Sequence, residues 1–277
     1  MKISIITPCF NSEKYISETI ESVISQRGNF EIEYILIDGC STDKTTEIVN
    51  RYSDLIKSNQ YSIKCNGISL KFISEADNGM YDALIKGFSN ITGDIVAYIN
   101  SDDFYLPNAF STVTDIFTKY EEVKWLTGMF VMYNDKGQII NCSLPGSIAR
   151  SSIKKGLACI QQESIFWRKE LMIHIDYDRL SGFKLAGDYF IWFTFAAQAE
   201  LYIVQSCFSG FRKHAGQLSE NSAAYFEDLS SYVETPTYFD RIKYSIMRRR
   251  EYLPNRVKRL LNSKIIFYKE NMWVKTR

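Results

Sequence analysis

The stretch IVAYINSDD, residues 95–103, sets five residues suited to a buried strand directly before Asn100, Ser101, Asp102 and Asp103. An apolar run that empties into acids and amides delivers anionic oxygens to the carboxyl end of a strand, where open α/β sheets bind their ligands. A divalent cation is suited to such a place.

The same unit recurs upstream. Residues 3–6 form a short apolar run followed by a turn around Pro8, after which Ile16, Ile20, Val23 and Ile24 share one helical face. Residues 32–37 read as a second strand ended by Asp38 and Gly39, with Ser41 or Thr42 placed to cap a helix whose inward stripe includes Ile48, Val49, Tyr52, Leu55 and Ile56. A third strand at 70–73 precedes Asp77 or Asn78 as cap of a helix carrying Met80, Ala83, Leu84, Gly87 and Phe88. Beyond residues 95–99, Pro107 suits the first turn of a helix that buries Phe110, Val113, Phe117 and Tyr120. This strand–helix alternation predicts a parallel sheet wound with helices on both faces.

The second half is less regular. Residues 124–133 and 138–144 read as a hairpin closed near 134–137, which adds antiparallel strands, followed by a helix near 188–197 and a strand near 201–205. A length of 277 residues with 45% apolar and 23% charged side chains fits one large globular domain with ample core. No run approaches the roughly 18 apolar residues of a membrane span, and MKISIITPCF enters a strand pattern without a signal-peptide core, so the expected location is cytoplasmic. Six scattered cysteines without a CxxC pair, and only two histidines, argue for reduced packing thiols over a zinc site.

Charge is uneven along the chain. Residues 240–277 hold twelve Lys or Arg against Asp240, Glu251 and Glu270, a net +9, so that a chain of formal charge +1 carries −8 elsewhere. Ile242, Ile246, Leu253, Val257, Leu260, Leu261, Ile265, Ile266 and Phe267 recur at spacings of amphipathic helices. This basic helical tail suits an anionic membrane surface, or caps the main domain with its basic side in solvent. Nothing in the chain resembles a base-reading module, so nucleic acid is not an expected partner.

Four acidic clusters end strands or open helices: Asp38, the pair Glu75 and Asp77, the pair Asp102 and Asp103, and Asp188. Singly, each Asp is explained by helix capping or turn formation. In a parallel sheet, however, the first three converge on one rim. The usual dinucleotide and triphosphate cradles, GxGxxG and GxxxxGK[ST], and the hydrolase elbow GxSxG are absent from the sequence.

The ordered set TPCFN (7–11), IDGCSTDKT (37–45), SEADNGMYDALIKG (74–87), INSDD (99–103), QQESIFWRK (161–169), AGDYFIW (186–192) and FRKHAGQLS (211–219) resembles glycosyltransferase family 2, and within it the bacterial enzymes that build O-antigen, capsule or exopolysaccharide. The resemblance spans about residues 1–220. It implies a GT-A fold, a Rossmann-like nucleotide-binding sheet, mostly parallel with added antiparallel strands. Expected with it are a donor half at 1–120, an acceptor half at 121–239 and the basic helical tail beyond.

By the same resemblance, Thr7, Pro8 and Asp38 contact the nucleoside, Asp77 lies close by, and Asp102 touches the metal and the ribose or diphosphate. Asn100 stands where the family's motif has its first acid, which removes one negative charge while keeping a neutral oxygen for Mn or Mg. Asp188 is the expected catalytic base, its proton affinity raised in a partly dry pocket. Gln162 and Glu163 would line the acceptor side, Trp167 and Trp192 would stack sugars or pack in the core, and His214 would reach the cation or the diphosphate. The implied activity is inverting transfer of a sugar from a nucleotide donor, UDP-linked, to a lipid-linked glycan. Alternatives are a sugar-phosphate nucleotidyltransferase, which would need a Gly-rich, Arg-bearing loop where TPCFNSEKY stands, or a non-catalytic nucleotide-sugar binder, suggested by Asn100.

Overall fold

The apolar runs of the first hundred residues become adjacent parallel strands in a computed structural model that describes residues 1–145, 148–217, 220–248 and 264–276. They are β1 (Lys2–Cys9), β2 (Glu31–Asp38), β3 (Gly67–Ser74) and β4 (Ile95–Tyr98), separated by α1 (Ile16–Ile24), α2 (Thr45–Lys57) and α3 (Met80–Phe88). There follow β5 (Phe104–Tyr105), α4 (Ala109–Lys119), β6 (Trp125–Thr127), β7 (Phe130–Asn134), β8 (Ile139–Ser143), α5 (Arg150–Lys154) and β9 (Ile165–Arg168). The chain continues through α6 (Tyr177–Ser181), α7 (Gly187–Gln198), β10 (Leu201–Val204), β11 (Ser209–Lys213), α8 (Ser222–Ser230), α9 (Tyr238–Arg248), β12 (Lys264–Lys269) and β13 (Met272–Lys275).

Nine strands form one sheet in the order β13-β12-β10-β6-β9-β4-β1-β2-β3, and β5-β11-β7-β8 form a second. In the large sheet only β9 and β13 run antiparallel to their neighbours. The carboxyl ends of β1, β2, β3 and β4 therefore share one edge, and the start of antiparallel β9 meets them there. This is the rim on which the acidic clusters were expected to gather.

β1 continues past its apolar run to Cys9, with Pro8 opposite Ile37 of β2. The carbonyl of Ile6 faces β4, where it accepts from Ile99. Pro8, two residues on, faces the same side beyond the last residue of β4, so its missing N–H costs no ladder bond. The expected hairpin divides in two. Residues 125–127 join the large sheet, whereas 130–134 pair with 139–143 in the small one, closed by Asn134 Oδ1 accepting from Lys136 and Gln138 N–H groups and by Gly137 at φ +76°.

Of the two readings offered for Trp167 and Trp192, the core one holds. Trp167 and Trp192 are fully buried and pack together, with ring centroids 5.8 Å apart, beside Trp125 and Phe195. Of the cysteines, Cys9 lies in the core while Cys40 and Cys142 are exposed, so packing accounts for fewer of them than expected. The end of the chain also differs from expectation. Tyr238–Arg248 is helical, residues 249–263 lie outside the described residues, and 264–275 form strands instead of a helix. Ile265 and Ile266 are β-branched neighbours that pair with Ile203 and Val204 of β10, and Glu270 and Asn271, both at positive φ, make the tight turn to β13.

Candidate active site

Asp38 ends β2 fully buried, its carboxylate accepting from the Ser41 hydroxyl, from Ser41 N at 3.1 Å and from Ser74 Oγ at 2.7 Å. Ser41 thus holds Asp38 and does not cap α2, whose first residue, Thr45, donates instead to Asp43 Oδ1. The TPCFN loop is laced to the same turn, with Asn11 N donating to Ser41 Oγ at 2.8 Å and Thr42 N to Asn11 Oδ1 at 2.9 Å. Asp77 stands against Gly39, where an added Cβ would lie 2.7 Å from Asp77 Oδ2, so the bare backbone at 39 lets the two strand ends approach. Asp77 does not cap α3 directly; its Oδ1 accepts from Gly79 N, the residue before the helix, at 2.9 Å. Thr7 is buried with its hydroxyl 3.1 Å from Tyr34 Oη, which turns its side chain into the core.

At the end of β4 the Ser101 hydroxyl meets that of Ser12 at 2.7 Å, joining the first and fourth strand ends. Asp102 Oδ2 lies 3.0 Å from His214 Nε2, so the loop after β11 closes on the motif 112 residues upstream. Arg212, only 3% exposed, makes that approach rigid. Its Nε donates to the Asp102 carbonyl at 2.9 Å, its Nη2 to Glu18 Oε2 at 2.5 Å, and its backbone N to Asp103 Oδ1 at 2.8 Å. The sequence reading placed Asp103 in the acidic cluster of INSDD without a role of its own and missed Arg212, for which the lone Arg of FRKH was the available signal.

Beneath the rim, Gln162 and Glu163 lie in a single turn of 3₁₀ helix before β9, both buried. Gln162 Nε2 donates to the Tyr98 carbonyl at 2.6 Å. Burial pushes the Glu163 carboxyl up to about 8, and the charges of Asp102 and Asp188 add to this. Asp103 is also held well above the ordinary carboxylate range, by burial first and then by Glu163 and Asp102. Among the described residues, Asn100 Oδ1, Asp103 Oδ2, Gln162 Oε1 and Glu163 Oε1 are buried with no hydrogen-bond partner. Orphans of this kind cost about 1–3 kcal/mol each and are retained where a site uses them.

Asp188 opens α7, half-buried, with Oδ1 accepting from Tyr189 N at 2.6 Å and from the Tyr225 hydroxyl at 3.5 Å. Desolvation pushes its carboxyl up to about 7, against the lowering effect of those bonds. Its position is fixed from two sides. The Tyr81 hydroxyl accepts from Asp188 N at 3.1 Å and donates to the Leu185 carbonyl at 2.7 Å, while Asp228 of α8 accepts from the backbone N–H groups of Lys184, Leu185 and Ala186. A Cβ at Gly187 would stand 2.7 Å from the Tyr81 ring, which is buried. Gly187→Ala is therefore expected to lower stability by about 1–3 kcal/mol, read as a fall in melting temperature of roughly 2–10 °C. An unchanged melt would show that Tyr81 does not hold this turn.

An open hollow of about 510 Å³ lies beside the α7 N-terminus, lined by Leu185, Gly216, Gln217, Glu220 and Asn221. The cation that the family resemblance implies would find one carboxylate at Asp102, one imidazole at His214 and the neutral oxygen of Asn100. Among the described residues, no group of three or more His, Cys, Asp or Glu could hold a metal ion. The donor set fits Mn or Mg only as a partial shell completed by phosphate oxygens and water, the usual way Mg is bound in phosphate sites.

Comparison with known proteins bears on the family and the fold. Residues 4–140 match glycosyl transferase family 2. An uncharacterised glycosyltransferase of Rickettsia prowazekii is 26% identical over 238 residues, which are 83% of this chain and 70% of that protein. The poly(ribitol-phosphate) β-N-acetylglucosaminyltransferase TarS of Staphylococcus aureus is 33% identical over 105 residues, 38% of this chain and 17% of its own length. The first curated relative is likewise matched over only 33% of its length. The crystal structure of TarS residues 1–349 with UDP-GlcNAc superposes with a TM-score of 0.60 at 18% identity, covering 94% of this chain and 70% of that one. A mannosyltransferase from Pyrobaculum calidifontis, in complex with GDP-Man and Mn2+, gives 0.54 at 14% identity over 90% of this chain and 70% of its own. The sequence match over residues 4–140 and the shared GT-A architecture are those of glycosyl transferase family 2.

Proposed function

We propose that the chain transfers a sugar, with inversion, from a UDP-linked donor to a lipid-linked glycan in the assembly of a bacterial surface polysaccharide. O-antigen, capsule and exopolysaccharide are the products suggested by the motifs, and a glycosylated poly(ribitol-phosphate) by the TarS relative. The observation that carries the reading is the Asp102–Glu163–Asp188 triangle. The buried Glu163 carboxyl is raised further by the charges of both Asp102, which meets His214 at the rim, and Asp188, whose own proton affinity is raised by desolvation.

In this reading residues 1–120 hold the donor and 121–239 the acceptor. Asp38 and Asp77 bind the nucleoside with the backbone of Thr7 and Pro8, and Asp102 with His214 faces the diphosphate. A bound Mn or Mg supplies Lewis-acid stabilisation of the charge that builds on the departing diphosphate. Asp188 takes the proton of the attacking hydroxyl, which enters through the hollow at Leu185 and Gly216, and Gln162 and Glu163 serve the acceptor side. The acceptor's lipid explains the basic segment 240–277, which would rest on an anionic membrane surface. No helix among the described residues is long and apolar enough to cross a membrane.

The test is a melting-temperature screen with UDP, UDP-GlcNAc and GDP-mannose, with and without Mn. UDP compounds with Mn are expected to raise the melt by roughly 5–10 °C at a hundredfold excess over Kd. A melt unmoved by any nucleotide sugar would overturn the donor assignment. Stabilisation without turnover on any lipid acceptor would favour the non-catalytic binder that Asn100 suggests.

A further inference from the structure

Helix α9 is built inside out. At 100° per residue Tyr238, Phe239, Ile242 and Ile246 fall within an arc of about 100°. A stripe of that width normally faces the core, yet these residues are 74%, 80%, 40% and 51% exposed. The side turned to the protein is the polar one. Asp240 is half-buried and pairs with Lys155 Nζ at 2.6 Å, and Tyr244 is half-buried within electrostatic reach of Tyr189. A reciprocal cap fixes the start of the helix, with Thr237 N donating to Asp240 Oδ2 at 2.9 Å and Asp240 N to Thr237 Oγ1 at 3.2 Å. The apolar face is thus held outward by the contacts on the other side.

Its flanks name the occupant. Arg241 and Lys243 border the stripe on either side, both exposed, while Asp240, the helix's sole acid, is on the inner face. We propose that α9 is an interfacial docking helix whose Tyr238, Phe239, Ile242 and Ile246 enter the headgroup and acyl boundary of an anionic bilayer while Arg241 and Lys243 pair with lipid phosphates. Aromatic and aliphatic side chains between basic flanks are the composition that such an interface retains. A second copy seated on the stripe would bring these cations against their equivalents. An anionic lipid surface satisfies both the face and its rim.

Docking there also orients the chemistry. The Lys155–Asp240 pair ties α9 to the end of α5, and α5 packs on α7, whose first turn carries Asp188. The inference rests on the proposed lipid-linked acceptor for its purpose, and its test separates the two. The full chain is floated with vesicles of phosphatidylcholine alone and of phosphatidylcholine with phosphatidylglycerol, at low and high salt. Binding is expected with the anionic vesicles and is expected to weaken with salt. The double variant F239S/I242S is expected to lose affinity by about ten-fold or more, and R241E/K243E to lose the preference for anionic vesicles. Both variants should keep the UDP-induced rise in melting temperature.

Undiminished binding by F239S/I242S, or equal binding to both vesicle types, overturns the proposal. So does light scattering that shows a dimer in the parent chain and a monomer in that variant. A chain that responds to UDP without floating loses only the docking helix, and one that floats without responding to any nucleotide sugar loses only the donor reading.

Discussion

Asp188→Asn is expected to lower the rate of sugar transfer by about 10³-fold while donor affinity stays within roughly two-fold of the parent. Asn keeps the oxygen that accepts from Tyr189 N and the Tyr225 hydroxyl, so the turn at the head of α7 stays in place. What it loses is the capacity to take a proton. In the parent chain that capacity fails as pH falls, because a base raised to about 7 is protonated below that value and kcat/KM should drop ten-fold per unit there. Asn at 188 removes this limb. Stability moves the other way. A carboxyl whose proton affinity is higher in the folded chain than in the unfolded one weakens the fold progressively as pH rises from about 4 to about 7, and the loss then levels off. The Asn variant should therefore melt higher than the parent at pH 8 and no higher near pH 4. An unchanged rate with an unchanged pH profile would remove Asp188 from the chemistry.

Much of this site was legible in the sequence because both of its determinants are local. Runs such as 32–37 and 95–99 are apolar enough to be strands wherever they lie, and parallel pairing then forces Asp38, Asp77 and Asp102 onto one edge without further information. The Asp188 reading needed the family motif, since a Gly-Asp pair before an aromatic helix is in isolation a helix start. Contacts that depend on a distant partner were not legible. Arg212 reaches Glu18, 194 residues away, and no periodicity reports such a pair. Residues 264–275 misled for a related reason. Counting apolar positions at helical spacing ignored that the free edge of β10 offers backbone partners to any β-branched run that returns to it, and that Asn271 marks a hairpin turn. The exposed face of α9 was hidden as well, because a helical stripe in sequence does not say whether it faces in or out.

Asp102→Ala should fail in a different way from Asp188→Asn. Donor Kd in the presence of Mn is expected to rise by about 10–100-fold, with a smaller change when Mn is withheld. Asp102 is the acid at the rim that meets His214, and its backbone carbonyl is gripped by Arg212. That grip does not involve the side chain, so the β4 loop survives the substitution and the loss is assigned to the carboxylate. Removing this charge also takes away one of the influences that hold the Glu163 and Asp103 carboxyls above their ordinary range. Both should then ionise at lower pH. Calorimetric titration of UDP with and without Mn measures the first effect, and carboxyl titration followed by NMR at Glu163 the second. Should Asp102→Ala and Asp188→Asn weaken donor binding equally, the division into a donor-holding acid and a proton-accepting acid would be wrong. If Mn made no difference to the parent chain, Asp102 and His214 would be a structural pair, and the diphosphate would have to be neutralised by groups elsewhere on the rim.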